Sequence, residues 1–115
     1  MESQIKILLV DANETFVSQL ASVLGQNPAF DVVGTANDGE CAVELLHREQ
    51  PDVLIMDLLL PKLDGISVLK EASSLPKPPL GLVLTGFLTD YAAQAAEKLG
   101  VRYFISKPCN LQTVA

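Results

Sequence analysis

Val53-Leu54-Ile55-Met56-Asp57 is the stretch that decides the fold class, because it is a short apolar run that ends in an acid. Continuous apolar runs of this length are typical of strands in parallel sheets, where helices cover both faces. Asp57 would then lie where the strand ends and a loop begins. Ligands of open α/β sheets bind at this carboxyl edge, so the run indicates both a fold class and the place where chemistry is expected.

Similar β-rich runs recur along the chain and alternate with segments whose apolar residues have helical spacing. The alternation implies parallel strands joined by right-handed helical crossovers. We therefore predict an α/β fold, a flavodoxin-like doubly wound sheet of five parallel strands in the order 2-1-3-4-5, in one domain spanning residues 1–115. The predicted strands are Ile5–Val10, Phe30–Thr35, Asp52–Met56, Leu80–Leu84 and Val101–Ser106; the predicted helices run from Glu14 to about Gln26, from the Asn37-Asp38-Gly39 turn to about Gln50, from Gly65 to Ser73 and from about Thr89 to Leu99.

Residues that favour helix ends lie at the predicted boundaries. Asn13 and Asp64 are suited to cap the first and third helices, and Gly100 is suited to end the fourth. Only seven residues follow Pro108, whereas a mean helix has about 11 residues. A fifth helix would be truncated, and we expect the chain to be a piece of a longer protein with an effector domain beyond Ala115.

Composition excludes several classes of function. The net charge is −6 with scattered basic residues, so the domain lacks the positive patch of a nucleic-acid binder. No apolar stretch is long enough to cross a bilayer, and Met1-Glu2-Ser3-Gln4 lacks the basic start of a signal peptide. We therefore predict a cytoplasmic domain that binds neither nucleic acid nor membrane directly.

Three further polar residues follow predicted strands, as Asp57 does. Asp11 follows the first strand, Thr85 the fourth and Lys107 the fifth. Because the carboxyl ends of parallel strands share one edge of the sheet, the four side chains are expected to converge there. Two carboxylates, a hydroxyl and an ammonium are suited to a metal ion and a phosphoryl group.

These residues lie in segments that resemble the receiver domain of bacterial two-component response regulators. The resemblance covers essentially the whole chain, and within that family residues 32–39 and 99–104 look most like the receiver of the sporulation master regulator of spore-forming bacteria. The segments that carry the family resemblance are Ile7–Asp11, Pro51–Asp57, Pro61–Gly65, Leu84-Thr85-Gly86 and Ile105-Ser106-Lys107-Pro108.

The resemblance implies that Asp57 accepts a phosphoryl group from a histidine kinase or a phosphotransfer protein. A carboxylate acts as a nucleophile towards phosphorus and forms an aspartyl phosphate. The resemblance also implies a Mg²⁺ site formed by Asp11, Asp57 and the backbone carbonyl of Leu59. Such a domain is a switch rather than an enzyme, and it catalyses only its own phosphorylation and slow dephosphorylation.

The remaining family roles fall on three residues. Lys107 would pair with a phosphoryl oxygen as a point charge, and Thr85 would move to hydrogen-bond another. Phe104 occupies the aromatic switch position, where it is expected to rotate inward as Thr85 shifts and so change the surface around the fourth helix and fifth strand. A truncated fifth helix would leave that face partly uncovered, so a homodimer through it is an open alternative.

One position departs from the family pattern. Receivers usually carry two adjacent acids after the first strand, whereas this chain has Asp11-Ala12. Glu14 is more suited to the first turn of a helix than to replacing the missing ligand. The departure predicts weak Mg²⁺ binding, or alternatively a degenerate receiver that acts as a phosphorylation-independent interaction module.

The residues that flank the path of attacking water in this family are Leu59 and Phe87 here, and both are bulky and apolar. We therefore expect a long-lived aspartyl phosphate. An aspartyl phosphatase would need a second acid at Asn13, and a flavin-binding protein would need a Ser/Thr-rich loop after the first strand. The chain has neither.

Overall fold

The structure is a computed structural model that describes residues 4–85 and 90–106. Strands and helices alternate through these residues, as predicted, and most boundaries agree to within one residue. The elements are β1 (Ile5–Val10), α1 (Glu14–Gly25), β2 (Phe30–Ala36), α2 (Gly39–Glu49), β3 (Val53–Met56), α3 (Gly65–Ser73), β4 (Leu80–Thr85), α4 (Asp90–Lys98) and β5 (Val101–Ser106). The predicted fifth helix lies outside the described residues.

The five strands form one parallel sheet in the order β2-β1-β3-β4-β5. This confirms the predicted doubly wound topology. The strand order reverses between β1 and β3, where Val10 is the register partner of Met56. In such sheets the functional crevice lies beyond the carboxyl ends of the strands at this reversal.

Three helices begin with a side-chain cap. Asn13 accepts from the Phe16 N–H at 3.0 Å, Asp38 from Cys41 at 2.8 Å and Asp64 from Ser67 at 3.0 Å. The Asn13 and Asp64 caps confirm the prediction, and Gly100 follows α4 with φ +98°, as expected for a helix C-terminus. Asp38 was predicted only as a turn residue, so the structure starts α2 earlier than the sequence suggested.

Apolar side chains from alternate strand positions point to opposite faces of the sheet, and each face has its own core. This arrangement confirms that β1, β3 and β4, whose sequences are nearly continuous apolar runs, are covered on both faces. One core contains Leu8, Val10, Leu46, Leu54, Met56, Val68 and Val83 with residues of α2, α3 and α4; the other contains Ile7, Leu9, Val17, Leu20, Leu24, Ile55 and Leu84. Within residues 4–85 and 90–106, no helix combines the length and apolarity needed to cross a membrane.

Candidate functional site

Asp11 and Asp57 follow neighbouring strands at the switch point. Val10 and Met56 are register partners, and the Asp57 N–H donates to the Val10 carbonyl oxygen at 3.0 Å. Adjacent strands are separated by roughly 4.8 Å, so the two aspartate backbones are neighbours at one edge. Their residues are only 5% and 8% exposed, respectively. The fold therefore brings the two predicted acids together in a largely dehydrated place.

Each of the two carboxylates is oriented by a turn of its own, and the two turns are of the same type. The Asn13 N–H donates to Asp11 Oδ1 at 2.9 Å, and the Leu59 N–H donates to Asp57 Oδ1 at 3.0 Å. Each bond spans two residues, which is the Asx-turn pattern. Each carboxylate is therefore tied to the loop that follows its own strand, and its direction is set before any ligand arrives.

Asn37 also contacts the end of β1, which the sequence did not indicate. Its Nδ2 donates to the backbone carbonyl oxygen of Asp11 at 2.9 Å, and the Asp11 N–H donates to Ala36 O at 3.0 Å. From the sequence, Asn37 is expected only to form part of the turn before α2. Because its partner is 26 residues away, only the pairing of β1 with β2 indicates the contact.

Backbone contacts hold the loop that follows Asp57. The Gly65 N–H donates to Leu58 O at 3.0 Å, and the Gly39 N–H donates to Pro61 O at 3.1 Å. A Cβ on Gly39 would lie 1.9 Å from Leu63 O, which shows how closely the start of α2 packs on this loop. The loop that carries Leu59 is thus clamped at both ends.

The oxygen atoms at this edge of the sheet fit a hard divalent cation, but few of them come from acidic side chains. Asp11, Asp57 and the carbonyl of Leu59 offer oxygen atoms, which Mg²⁺ prefers, and Mg²⁺ usually keeps several waters besides one or two carboxylates. Among the described residues, no group of three or more His, Cys, Asp or Glu could hold a metal ion. Ala12 and Glu14 are both exposed, and Glu14 lies in the first turn of α1. The site would therefore hold Mg²⁺ with two acids.

Of the other predicted site residues, Thr85 and Phe104 have a position in the sheet, and Lys107 lies outside the described residues. Thr85 ends β4 and pairs with Ser106 of β5, so its backbone lies at the same edge of the sheet as Asp57. Lys107 follows Ser106 and lies outside the described residues, as does Phe87. Phe104 pairs with Val83 and is partly buried against the core on the α2–α4 side.

The side chain of Leu59 stands out beside the acidic pair. Its residue is 64% exposed although its N–H is bound to the Asp57 carboxylate. An apolar side chain is therefore presented to solvent next to the predicted phosphoacceptor.

Comparison with known proteins agrees with the fold and identifies the family. The family model described as the response regulator receiver domain matches residues 7–115. The chain belongs to this family, and it is a receiver domain of two-component response regulators.

Individual relatives agree with this assignment. A protein-glutamate methylesterase/protein-glutamine glutaminase from Halalkalibacterium halodurans is 37% identical over 111 residues, which are 94% of this chain and 32% of that protein. The chain therefore spans about a third of the length of this curated relative.

Two solved structures have a similar fold. The response regulator domain of Thermotoga maritima CheB is 31% identical, with a TM-score of 0.83 over 94% of this chain and 81% of that one. A chain in the CheX–CheY–BeF₃–Mg²⁺ complex from Borrelia burgdorferi is 26% identical, with a TM-score of 0.85 over 97% and 84%.

Proposed function

We propose that this domain accepts a phosphoryl group on Asp57 from a histidine kinase or a phosphotransfer protein, in a reaction that depends on Mg²⁺. The observation that carries the proposal is the buried pair of Asp11 and Asp57 at the β1–β3 switch point, with Asp57 oriented by the Leu59 N–H. The similarity to a chain from a BeF₃–Mg²⁺ complex supports it.

The chemistry is substitution at phosphorus. A carboxylate oxygen of Asp57 forms a bond to the phosphorus atom, and the bond from phosphorus to the donor's nitrogen or oxygen breaks, with its electron pair leaving on the donor. The transition state needs positioning and charge neutralisation. Bound Mg²⁺ would supply that neutralisation, held by Asp11, Asp57 and the Leu59 carbonyl, while Lys107 pairs with a phosphoryl oxygen.

The switch part of the proposal rests on Thr85 and Phe104. Thr85 would move to hydrogen-bond the new phosphoryl group, and Phe104 would turn inward into the space that Thr85 leaves. Phe104 is only partly buried and already contacts the core, so a rotation would exchange one packed position for another. The changed surface would then reach an effector domain that follows Ala115 in the parent protein.

Several finer assignments belong to the same proposal. One domain spans residues 1–115; it is cytoplasmic, does not bind nucleic acid itself and acts as a switch rather than as an enzyme. The proposal also includes a homodimer that forms through the surface around α4 and β5. The closer relationship to sporulation receivers is supported only by residues 32–39 and 99–104.

A second function rests on Ala12. Because its exposed methyl group replaces the usual second acid, the Mg²⁺ site has one anionic ligand fewer, and phosphorylation should need more metal. If the site were too weak to work, the domain would act as an interaction module without phosphate. Titration of Mg²⁺ in the presence of beryllofluoride separates the two, since saturation at ordinary millimolar metal would favour the phosphoacceptor.

Intact-mass measurement tests the main proposal. The chain is incubated with Mg²⁺ and a small acyl phosphate, beside Asp57→Ala and the control Asp31→Ala, which removes an exposed acid from β2. We expect one added phosphoryl group in the wild type and in the control, and none in Asp57→Ala. Phosphorylation of Asp57→Ala, or none in the wild type at saturating Mg²⁺, would contradict the proposal.

A further inference from the structure

We propose that Asn37 is a positioning residue that holds Asp11 in the orientation required for binding a divalent cation. The inference rests on the proposed function, because it concerns the same metal site. It assigns a role to a residue of the β2–α2 turn that has no ionisable group. The motivating observation is the hydrogen bond from Asn37 Nδ2 to the Asp11 carbonyl oxygen at 2.9 Å.

Three hydrogen bonds hold Asp11 from different sides. Its N–H donates to Ala36 O, its Oδ1 accepts from the Asn13 N–H, and its carbonyl oxygen accepts from Asn37. The first bond belongs to the strand pairing, and the second orients the carboxylate. The third fixes the plane of the peptide between residues 11 and 12.

That peptide plane determines where the Asn13 N–H points. If the Asp11 carbonyl turned, the chain through Ala12 would turn with it, and the Asn13 N–H would leave Asp11 Oδ1. The bond from Asn37 therefore supports the carboxylate indirectly. Groups that orient a metal ligand without touching the metal typically change metal affinity by about ten- to a hundredfold when they are removed.

The bond is not a by-product of helix capping. Asp38 caps α2 by accepting from the Cys41 N–H at 2.8 Å, so α2 can start without the amide of Asn37. Asn37 is half-buried, and its amide is a side-chain anchor for this peptide. Because Ala12 follows Asp11, an error in the direction of Asp11 is not compensated by an adjacent carboxylate.

Direct titration of Mg²⁺ tests the role without any phosphodonor. The shifts of the Asn13 and Leu59 amide resonances are followed by NMR for the wild type, Asn37→Ala and Asn27→Ala. Asn27 is the matched control because its side chain also makes one turn hydrogen bond, from the Ala29 N–H at 2.9 Å, in the loop that precedes β2. We expect Asn37→Ala to raise the Kd for Mg²⁺ about tenfold and Asn27→Ala to leave it unchanged.

Thermal unfolding of the same variants shows that each variant is folded at the temperature at which its Kd is measured. An unchanged Kd in Asn37→Ala, whatever its Tm, would overturn the proposal, and so would an equal rise of Kd in Asn27→Ala. If Asn37→Ala does not fold, the Kd of Asn37→Ser for Mg²⁺ is measured in its place and judged in the same way.

Phosphorylation rates give a second readout that distinguishes this inference from the proposed function. In Asn37→Ala the half-saturating Mg²⁺ concentration should rise, while the rate at saturating Mg²⁺ stays at the wild-type value. A rise of the Kd with no phosphorylation of any variant would support the role of Asn37 and refute the phosphoacceptor. Absence of saturable Mg²⁺ shifts in the wild type would overturn both.

Discussion

The ends of β1 and β3 each present an aspartate at the same edge of the sheet, but they hold it by different means. Asp11 is followed at once by α1, and a side-chain amide from Asn37 fixes its peptide. Asp57 is followed by a loop that backbone hydrogen bonds and close glycine contacts clamp to α2 and α3.

The difference predicts how each end responds to mutation. A backbone clamp is lost only when the fold is strained, so changes near β3 should act mainly on stability. A side-chain clamp is lost by removing one amide, so changes near β1 should act mainly on metal binding. The β3 end is thus expected to be rigid, and the β1 end is expected to be adjustable.

The largest expected effect comes from breaking the clamp at β3. Gly39→Ala would place a methyl group 1.9 Å from Leu63 O, which is backbone and has little freedom to withdraw. We expect the free energy of unfolding to fall by about 3 kcal/mol or more, as for severe overpacking. Urea denaturation measures it.

Gly25→Ala is the control for that change. Nothing lies within 4 Å of a Cβ at Gly25, at the end of α1, so the substitution should raise stability by about 0.5 kcal/mol because it restricts the unfolded chain. Equal effects of the two substitutions would show that the contact with the loop has no special importance.

The next largest effect comes from restoring an acid at the β1 end. Ala12 is exposed, so Ala12→Asp adds a carboxylate beside Asp11 without disturbing the core. We expect Mg²⁺ to bind about tenfold more tightly, which corresponds to about 1.4 kcal/mol. The amide-shift titration described for Asn37 measures it.

Ala29→Asp adds the same charge in an exposed turn at the start of β2, and it should leave the Kd unchanged. If both substitutions tightened Mg²⁺ binding equally, the effect would be one of net charge, and the departure at residue 12 would have no local consequence.

These two ends also show which parts of the molecule the sequence could predict. The boundaries of β1 and β3 follow from their apolar runs, and the caps at Asn13 and Asp64 follow from local residue preferences. The strand order needed analogy with known folds, because periodicity does not say which strands are neighbours. The convergence of Asp11 and Asp57 then followed from the order.

Contacts between distant residues could not be predicted in the same way. The bond from Asn37 to Asp11 and the contact of Gly39 with Leu63 depend on how two loops pack against each other. The same holds for the contact between His47 and Glu71, in which His47 Nε2 lies 3.3 Å from Glu71 Oε2. The two lie on α2 and α3, and no local pattern in the sequence indicates that these helices bring them together.

A smaller effect should come from Leu59, an apolar side chain at the β3 end that faces solvent. Leu59 is 64% exposed beside Asp57, and its isobutyl group should keep water from the aspartyl phosphate. Leu59→Asn should shorten the lifetime of the phosphorylated form about threefold, or about 0.7 kcal/mol of activation free energy. The decay of the intact-mass signal after removal of the donor measures it.

Leu80→Asn is the matched control, since Leu80 is 42% exposed at the opposite end of the sheet. Its phosphorylated form should decay at the wild-type rate. A lifetime that did not change in Leu59→Asn would mean that water reaches the phosphoryl group by a path that does not pass this side chain.

The smallest predicted effect concerns the residues that cap the helices after Asp11 and Asp57. α1 has the neutral cap Asn13, whereas α3 has the charged cap Asp64. The N–H of Ser67 lowers the pKa of Asp64 below its ordinary value of 3.8, and the hydroxyl of Ser67 acts in the same direction, while desolvation opposes them.

A lowered pKa in the folded state means that the unfolded chain takes up the proton first as the pH falls. The contribution of the charge is therefore fully present above about pH 5, and it is lost as the pH falls through the folded-state pKa. Asp64→Asn keeps a capping oxygen but removes the charge, so it should cost about 0.5 kcal/mol at neutral pH. That cost should disappear in acid, as urea denaturation at several pH values would show.

Asp31→Asn removes an exposed charge that caps no helix, and its cost at neutral pH should be smaller. If Asp64→Asn cost the same at neutral pH and below pH 3, the charge of Asp64 would contribute nothing to the start of α3, and the charged and neutral caps would be equivalent.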